Sequence, residues 1–442
     1  MNNLSFGNVN KAFDYLALND DQPDPVKSEC SYLPDPKQNP KSINDKPLEK
    51  RLCTHCELSA LPHADTPGHK SDRFGHIPIL KAVCKGQTKI LQSLLQNAPD
   101  AVNTKFNFPE LGRDITLLYA AVAFRQPSAV KVLLQFGADA NALCQPSWTG
   151  SSHYSTPLMA TIDINCQKKA QIEVVDMLIK QGANVNAIKS ESGRMLTWPP
   201  LTVAAYAKDI KTVELLVNRG ADVDACFSDS DIDKINGCTP LMMAASCGHT
   251  RVVQYLLKKG ANVNAGQYNA GEQNGRTAMT LAAMSNHTEV GKTLMEYGAD
   301  VNVAMSNAGV EEGCTPVIAA ASRGNRQFVQ FLLENNADVN ATMSSGAKKG
   351  WTALLCASCN GCKSITKLLL DHGANINAAE SDEGAAKGRT PYMAASENGF
   401  KGVAKLLRER GAKLPPQQIT PQSDFQTIMN SQPCDAVEGL VD

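Results

Sequence analysis

Between residues 236 and 413 the chain repeats one arrangement of apolar and polar positions five times. Each copy opens on a threonine and runs through small and apolar residues such as Ala244 and Ala245 to a break, Gly248 in the first copy. A second run places apolar residues at helical spacing, for example Val252, Val253, Leu256 and Leu257, and ends at Gly260. That spacing predicts an amphipathic helix. The opening Thr239-Pro240 predicts a helix start, because the hydroxyl can accept an N–H that the first turn leaves unpaired and proline has no N–H to lose. Gly260 suits the left-handed residue that ends a helix. The Ala-Asn-Val-Asn after it leads into an extended turn, so each copy reads as helix, turn, helix and finger.

The opening threonines, Thr239, Thr277, Thr315, Thr352 and Thr390, lie 38, 38, 37 and 38 residues apart. Four weaker copies precede them, near His76 and from Asp114, Ser155 and Trp198. About nine units therefore fill residues 74–414. A single pair cannot bury its apolar face, so neighbours must stack and the end units must be capped. The last unit carries Lys401, Lys405, Arg408, Glu409, Arg410 and Lys413 and reads as the C-terminal cap. At the other end the amphipathic stretch Leu4–Leu18 is expected to cover the first unit.

The motif Thr-Pro-Leu-Met-Met-Ala at Thr239–Ala244 resembles the ankyrin consensus T-P-L-H-x-A, with Met242 in the histidine position. Over residues 74–414 the chain resembles the ankyrin-repeat family. The resemblance implies an all-α solenoid of helix-turn-helix pairs with projecting hairpin or loop fingers. It also implies a non-catalytic scaffold or adaptor that binds one or more partner proteins.

An ankyrin unit is about 33 residues long, so a period near 38 leaves about five to place. From the last finger Asn to the next opening Thr the chain takes 13, 13, 12 and 13 steps, counted from Asn264, Asn302, Asn340 and Asn377. The family would need about eight, so the surplus lies in the fingers, where recurring insertions map to a binding edge. The fingers carry Trp148, Tyr154, Met195, Trp198, Phe227 and Tyr268, and large apolar and aromatic groups are the usual anchors of protein interfaces. The positions before the inter-helix break set the concave face, where Tyr206, Cys247, Met284 and Arg323 join the partner-binding candidates.

Charge narrows the partner. A formal charge of −1 gives no reason to expect nucleic acid, which wants clustered Lys and Arg. No apolar stretch is long enough for membrane insertion, and the N-terminus lacks the basic and apolar regions of a secretory signal. A cytoplasmic monomer is expected, in the host cytosol if the source is an intracellular bacterium that delivers the protein. The 14 cysteines then stay as thiols. Residues 1–73 form a Pro-rich, mostly irregular segment and residues 415–442 a disordered tail.

No catalytic residues and no cofactor are expected, since no Gly-rich phosphate loop, G-x-S-x-G or H-E-x-x-H occurs. Cys53, Cys56, His63 and His69 make a weak zinc candidate, with the C-x-x-C pair and two histidines closer together than in a usual finger. A metal-binding or enzymatic N-terminal segment targeted by the repeats is the alternative function. Cys356, Cys359 and Cys362 point in different directions around a helix and read as structural, at an Ala-like buried position, a concave-face position and the histidine position. The acidic finger from Asp229 lacks the Gly and Glu of a calcium loop. The family resemblance implies one modification candidate, Asn340, as a target of asparaginyl hydroxylation.

Overall fold

The computed structural model describes residues 77–108, 112–146, 154–162, 172–187, 198–226, 237–266, 268–269, 272–273, 275–305, 312–344, 348–379 and 388–413. Eighteen α-helices occur among them, in nine consecutive pairs. The pairs are α1 (Ile77–Cys84) with α2 (Thr88–Asn97), α3 (Leu117–Ala123) with α4 (Pro127–Gln135), and α5 (Pro157–Thr161) with α6 (Ile172–Lys180). Then come α7 (Pro200–Tyr206) with α8 (Ile210–Asn218), α9 (Pro240–Ser246) with α10 (Thr250–Lys258), and α11 (Ala278–Met284) with α12 (Thr288–Glu296). The last three are α13 (Pro316–Ser322) with α14 (Arg326–Glu334), α15 (Ala353–Cys359) with α16 (Lys363–Asp371), and α17 (Pro391–Glu397) with α18 (Lys401–Glu409).

Six of the nine first helices start where threonine chemistry starts them. Thr116, Thr156, Thr239, Thr277, Thr352 and Thr390 each have extended backbone and accept the N–H three residues on, as Thr239 Oγ1 does from Met242 N at 3.3 Å. Thr315 has the same backbone, φ −91° and ψ 164°, but makes no such bond, and its buried hydroxyl finds no partner among the described residues. A single substitution therefore has two outcomes. Thr239→Ala is expected to cost about 1 kcal/mol by losing the cap, whereas Thr315→Ala removes an unpaired buried hydroxyl and should cost distinctly less. Urea unfolding followed by circular dichroism checks this, and equal losses would refute the assignment.

Eight of the nine second helices end on a left-handed residue, Gly260 at φ +90° and its equivalents, with Asn336 at φ +65° in the seventh unit, whereas α2 ends on Ala98 at φ −141°. Only a residue without a Cβ, or a short polar one, takes that conformation cheaply. Paired alanines on the first helices, such as Ala244 with Ala245 and Ala282 with Ala283, are fully buried. Their small side chains let one first helix lie against the next, and the larger Val252, Val253 and Leu256 of the second helix close the core from the other side.

Two compact units divide the described residues. The first runs to Pro200 and takes in Asn218–Gly220; the second holds Leu201–Val217 and the residues from Ala221 on. In the first, α1, α3 and α5 stack in order, as do α2, α4 and α6. In the second, α9, α11, α13, α15 and α17 form one row and α10, α12, α14, α16 and α18 the other. In the cap helix α18 only Val403 and Leu407 are buried, while Lys401, Lys405 and Arg408 face water. Arg410 Nη1 pairs with Asp371 Oδ1 at 2.8 Å. In the first unit Ile90 of α2 is 49% exposed, and the stretch Leu4–Leu18 expected to cover the first repeat lies outside the described residues.

Finger bases are built of short β-pairs. β1 (Lys105–Phe108) and β2 (Gly112–Thr116) form an antiparallel hairpin with Phe106 opposite Ile115, and β3 (Gln145–Pro146) of the next finger pairs with β2. β4 (Tyr268–Asn269) and β5 (Glu272–Gln273) form a second hairpin. Two fingers repeat one closure: Met305 N donates to Cys314 O and Gly313 N to Met305 O, as Met343 N does to Trp351 O and Gly350 N to Met343 O. The two closures are also joined, with Ser344 N donating to Glu312 O at 2.8 Å. Gly313 is required there: its φ is +81° and a Cβ would lie 2.5 Å from the Ser344 amide nitrogen. The described bases of these two fingers are thus hydrogen-bonded to each other.

Candidate functional site

The fingers and the inter-helix turns form the two edges of each stack, and each edge has its own hydrogen-bonded ladder. On the finger edge, Asn264 donates Nδ2–H to Gly298 O at 3.2 Å and accepts at Oδ1 from Asp300 N at 3.0 Å. Asn302 does the same to Asn336 O and Asp338 N, and Asn340 to Gly373 O and Asn375 N. In the first unit Asn103 bridges to Gly137 and Asp139, and Asn141 to Gly182 and Asn184. A side-chain amide suits this place because one group can both donate and accept. Asp224 takes this place in the fourth repeat and accepts from Asn262 N, its carboxyl pushed up by burial.

On the turn edge of the second unit, the carbonyl of the last residue of each first helix that has a following repeat accepts from that repeat. Tyr206 O accepts from His249 Nε2 at 2.8 Å, and Ser246 O from His287 Nε2 at 3.1 Å. Met284 O accepts from Asn325, Ser322 O from Asn360 and Cys359 O from Asn398. The acceptor position is constant while the donor varies between histidine and asparagine.

Burial lowers the pKa of both His249 and His287, outweighing the carbonyl contacts that raise it; Lys208 and His287 beside His249 lower it further. Neutral imidazole is therefore the folded form. Its stabilisation is complete above the unfolded value of 6.5 and is lost as pH falls from there toward the folded value. The melting temperature is expected to drop on acidification from neutral toward pH 5.5 (~1 unit below that reference). In a His249→Asn/His287→Asn variant, which places at both turns the donor that Asn325 already supplies in the seventh repeat, the drop should be smaller. Parallel pH profiles of the two proteins would sink the idea.

The residues singled out in the sequence fall in several places. Trp148, Met195 and Phe227 lie outside the described residues, as do Cys53, Cys56, His63 and His69 and the acidic finger from Asp229. Tyr268 lies on β4. Tyr154 is half-buried and packs with Leu143 against Met159 and Ala187 of its own region. Trp198 is half-buried just before α7. Tyr206 and Cys247 are half-buried at the ends of α7 and α9, and burial raises both of their pKa values. Arg323 is half-buried after α13, and Met284 is only 6% exposed. Asn340 is exposed at its backbone position while both ends of its amide serve the finger ladder.

Cys362 occupies the histidine position before α16 and Cys356 is buried. Cys359 is buried as well, not open on the concave face, because side chains from two finger bases cover it. Trp351 packs over Leu355, Cys359 and Ala394, and Arg389 reaches Cys359 Sγ with Nη1 at 3.8 Å. Arg389 is itself buried and pairs with Glu397 at 2.8 Å. Lys348 Nζ stands 5.7 Å from the centre of the Trp351 ring. Among the described residues no group of three or more His, Cys, Asp or Glu is placed to hold a metal, and no helix is long and apolar enough to cross a membrane.

The family model of ankyrin repeats matches overlapping segments that together run over residues 118–418. Ankyrin repeat protein nuc-2 of Neurospora crassa is 28% identical over 196 residues, a stretch covering 44% of this chain and 16% of that protein. The chain thus corresponds to a small part of that relative's length. With paired helices, left-handed helix ends and stacked fingers in place, and with the family match over most of its length, the chain belongs to the ankyrin-repeat family.

Proposed function

We propose that this protein is a non-catalytic scaffold, acting as a cytosolic monomer, that holds one or more partner proteins across its lengthened fingers and concave face. Ankyrin repeats are in general protein-interaction modules. The observation that carries the reading is the division of labour in each finger. The base is closed by backbone hydrogen bonds and tied to the next repeat by an asparagine, as at Met305–Cys314 and Asn302. That base already holds the stack together, so the surplus residues beyond it, about five per repeat against the family's period, are available for contact. Tyr206, Cys247 and Arg323, half-buried on the helical side, would flank such a partner.

The test is affinity purification with quantitative mass spectrometry, comparing the full chain with a variant whose fingers between the second and sixth repeats are cut to the plain repeat length. Circular dichroism first establishes that both are folded. Partners lost from the trimmed variant support the reading. Retention of the same partners would move recognition away from the fingers and overturn it.

A further inference from the structure

The near-zero net charge of this chain conceals a concentration of cations along the inter-helix turn edge of the second unit. Lys208 and Lys211 in the fourth repeat, Arg251 in the fifth, Arg326 in the seventh, Lys363 in the eighth and Lys401 in the ninth all lie in the inter-helix turn or the first turn of a second helix. All six are exposed, and none makes an ion pair or a side-chain hydrogen bond among the described residues. The carboxylates on that edge are already engaged. Asp209 is buried and accepts from the Thr212 hydroxyl, Glu289 pairs with Lys292 at 2.6 Å, and Glu397 pairs with Arg389. At the finger end the charges balance, Glu296, Glu334, Asp371 and Glu409 standing with Lys258, Lys259, Arg408 and Arg410.

This placement opposes the helix macrodipole, which favours acids at the N-terminus and bases at the C-terminus. The fold does not demand it. Glu289 occupies in α12 the register position that Arg251 occupies in α10, so a carboxylate is accommodated there. Lys208 stands in the left-handed conformation, φ +58°, where Gly248, Gly324, Gly361 and Gly399 stand in other repeats. Stability alone would not select bases at these positions. The turn ladder from His249 to Asn398 joins successive turns, so the cations line one edge, interrupted in the sixth repeat by Glu289.

Spacing identifies what the row fits. Neighbouring helices pack about 8–10 Å apart, which is the reach of roughly three residues of extended chain. One or two cations per repeat is thin for duplex nucleic acid, which carries a charge every ~1.7 Å. We propose that this edge of the second unit docks an extended acidic segment of a partner protein, with carboxylates about three residues apart. The surface is distinct from the fingers, so trimming the fingers leaves this interaction intact and the two readings stand or fall separately.

The experiment uses the full chain and a fluorescent peptide that repeats Glu-Gly-Ser, titrated by anisotropy at low and high salt. The comparison protein carries Arg251→Glu, Arg326→Glu, Lys363→Glu and Lys401→Glu. The peptide should bind the parent protein in a salt-sensitive way, and the variant should bind at least about tenfold more weakly. The variant's melting temperature should hold or rise, because Glu suits a helix N-terminus. If the reversal variant does not fold, the four Gln substitutions take its place with the same tenfold criterion (~1.4 kcal/mol). No peptide binding at low salt, equal binding by the variant, or tighter binding of single-stranded oligothymidylate than of the peptide would each overturn the proposal.

Discussion

Replacing Phe328 with alanine is expected to remove about 3–5 kcal/mol from the stability of the second unit, the usual cost of emptying a buried phenylalanine site. Phe328 is fully buried in α14, packs edge-to-face on Phe331 with ring centres 5.5 Å apart, and lies against Gly291 of α12. It therefore belongs to the interface between the sixth and seventh repeats. Repeat stability is a sum of unit and interface terms, so loss of this interface should also uncouple the repeats on its two sides. Urea unfolding by circular dichroism should show an earlier and broader transition. Hydrogen exchange should show α14 opening without α18. A single sharp transition shifted by less than about 1 kcal/mol would mean that the site collapses around the alanine.

Glycine-to-alanine substitutions in two second helices should have opposite signs. In a helix interior the change ordinarily stabilises by about 1 kcal/mol. At Gly402 of α18 the nearest atom to an added Cβ is Lys363 Cδ at 3.8 Å, so Gly402→Ala should realise most of that gain. At Gly291 the Cβ would lie 2.8 Å from Phe328 Cζ and 2.8 Å from Phe331 Cε1, both on rings held by their neighbours. Overpacking of this kind costs about 1–3 kcal/mol, which exceeds the propensity gain. Gly291→Ala should thus lower the melting temperature while Gly402→Ala raises it. Adding Phe331→Leu to Gly291→Ala should recover part of the loss, and a double-mutant cycle with no coupling would show that the two residues do not press on each other.

These residues also mark how far the sequence could be read. Gly291 is one glycine among 31, and nothing near it in the chain signals two aromatic rings arriving from residues 328 and 331. The finger asparagines were legible as turn formers. Their recurrence at the repeat period was the available signal for more, since a turn alone does not need the same amide in every unit. Their cross-repeat role at Asn264, Asn302 and Asn340 emerges only when the next repeat is in place. Cys359 shows the same limit. Helical spacing put it on the concave side, whereas Trp351 and Arg389, from two different finger bases, cover it.

What the sequence determined by itself was everything local: the threonine-capped starts, the glycine ends, the apolar period of the second helices and the length of the fingers. These depend on residues within one or two turns of each other, where capping, backbone sterics and side-chain periodicity act. Tertiary structure alone decided which buried groups pair, which positions stay open and how single lysines and arginines from separate repeats line up as a row. The ladder bonds join residues about one repeat apart, 33 to 43 positions along the chain. The physical reason is stacking: each repeat presents atoms to its neighbour that its own sequence neither satisfies nor reveals.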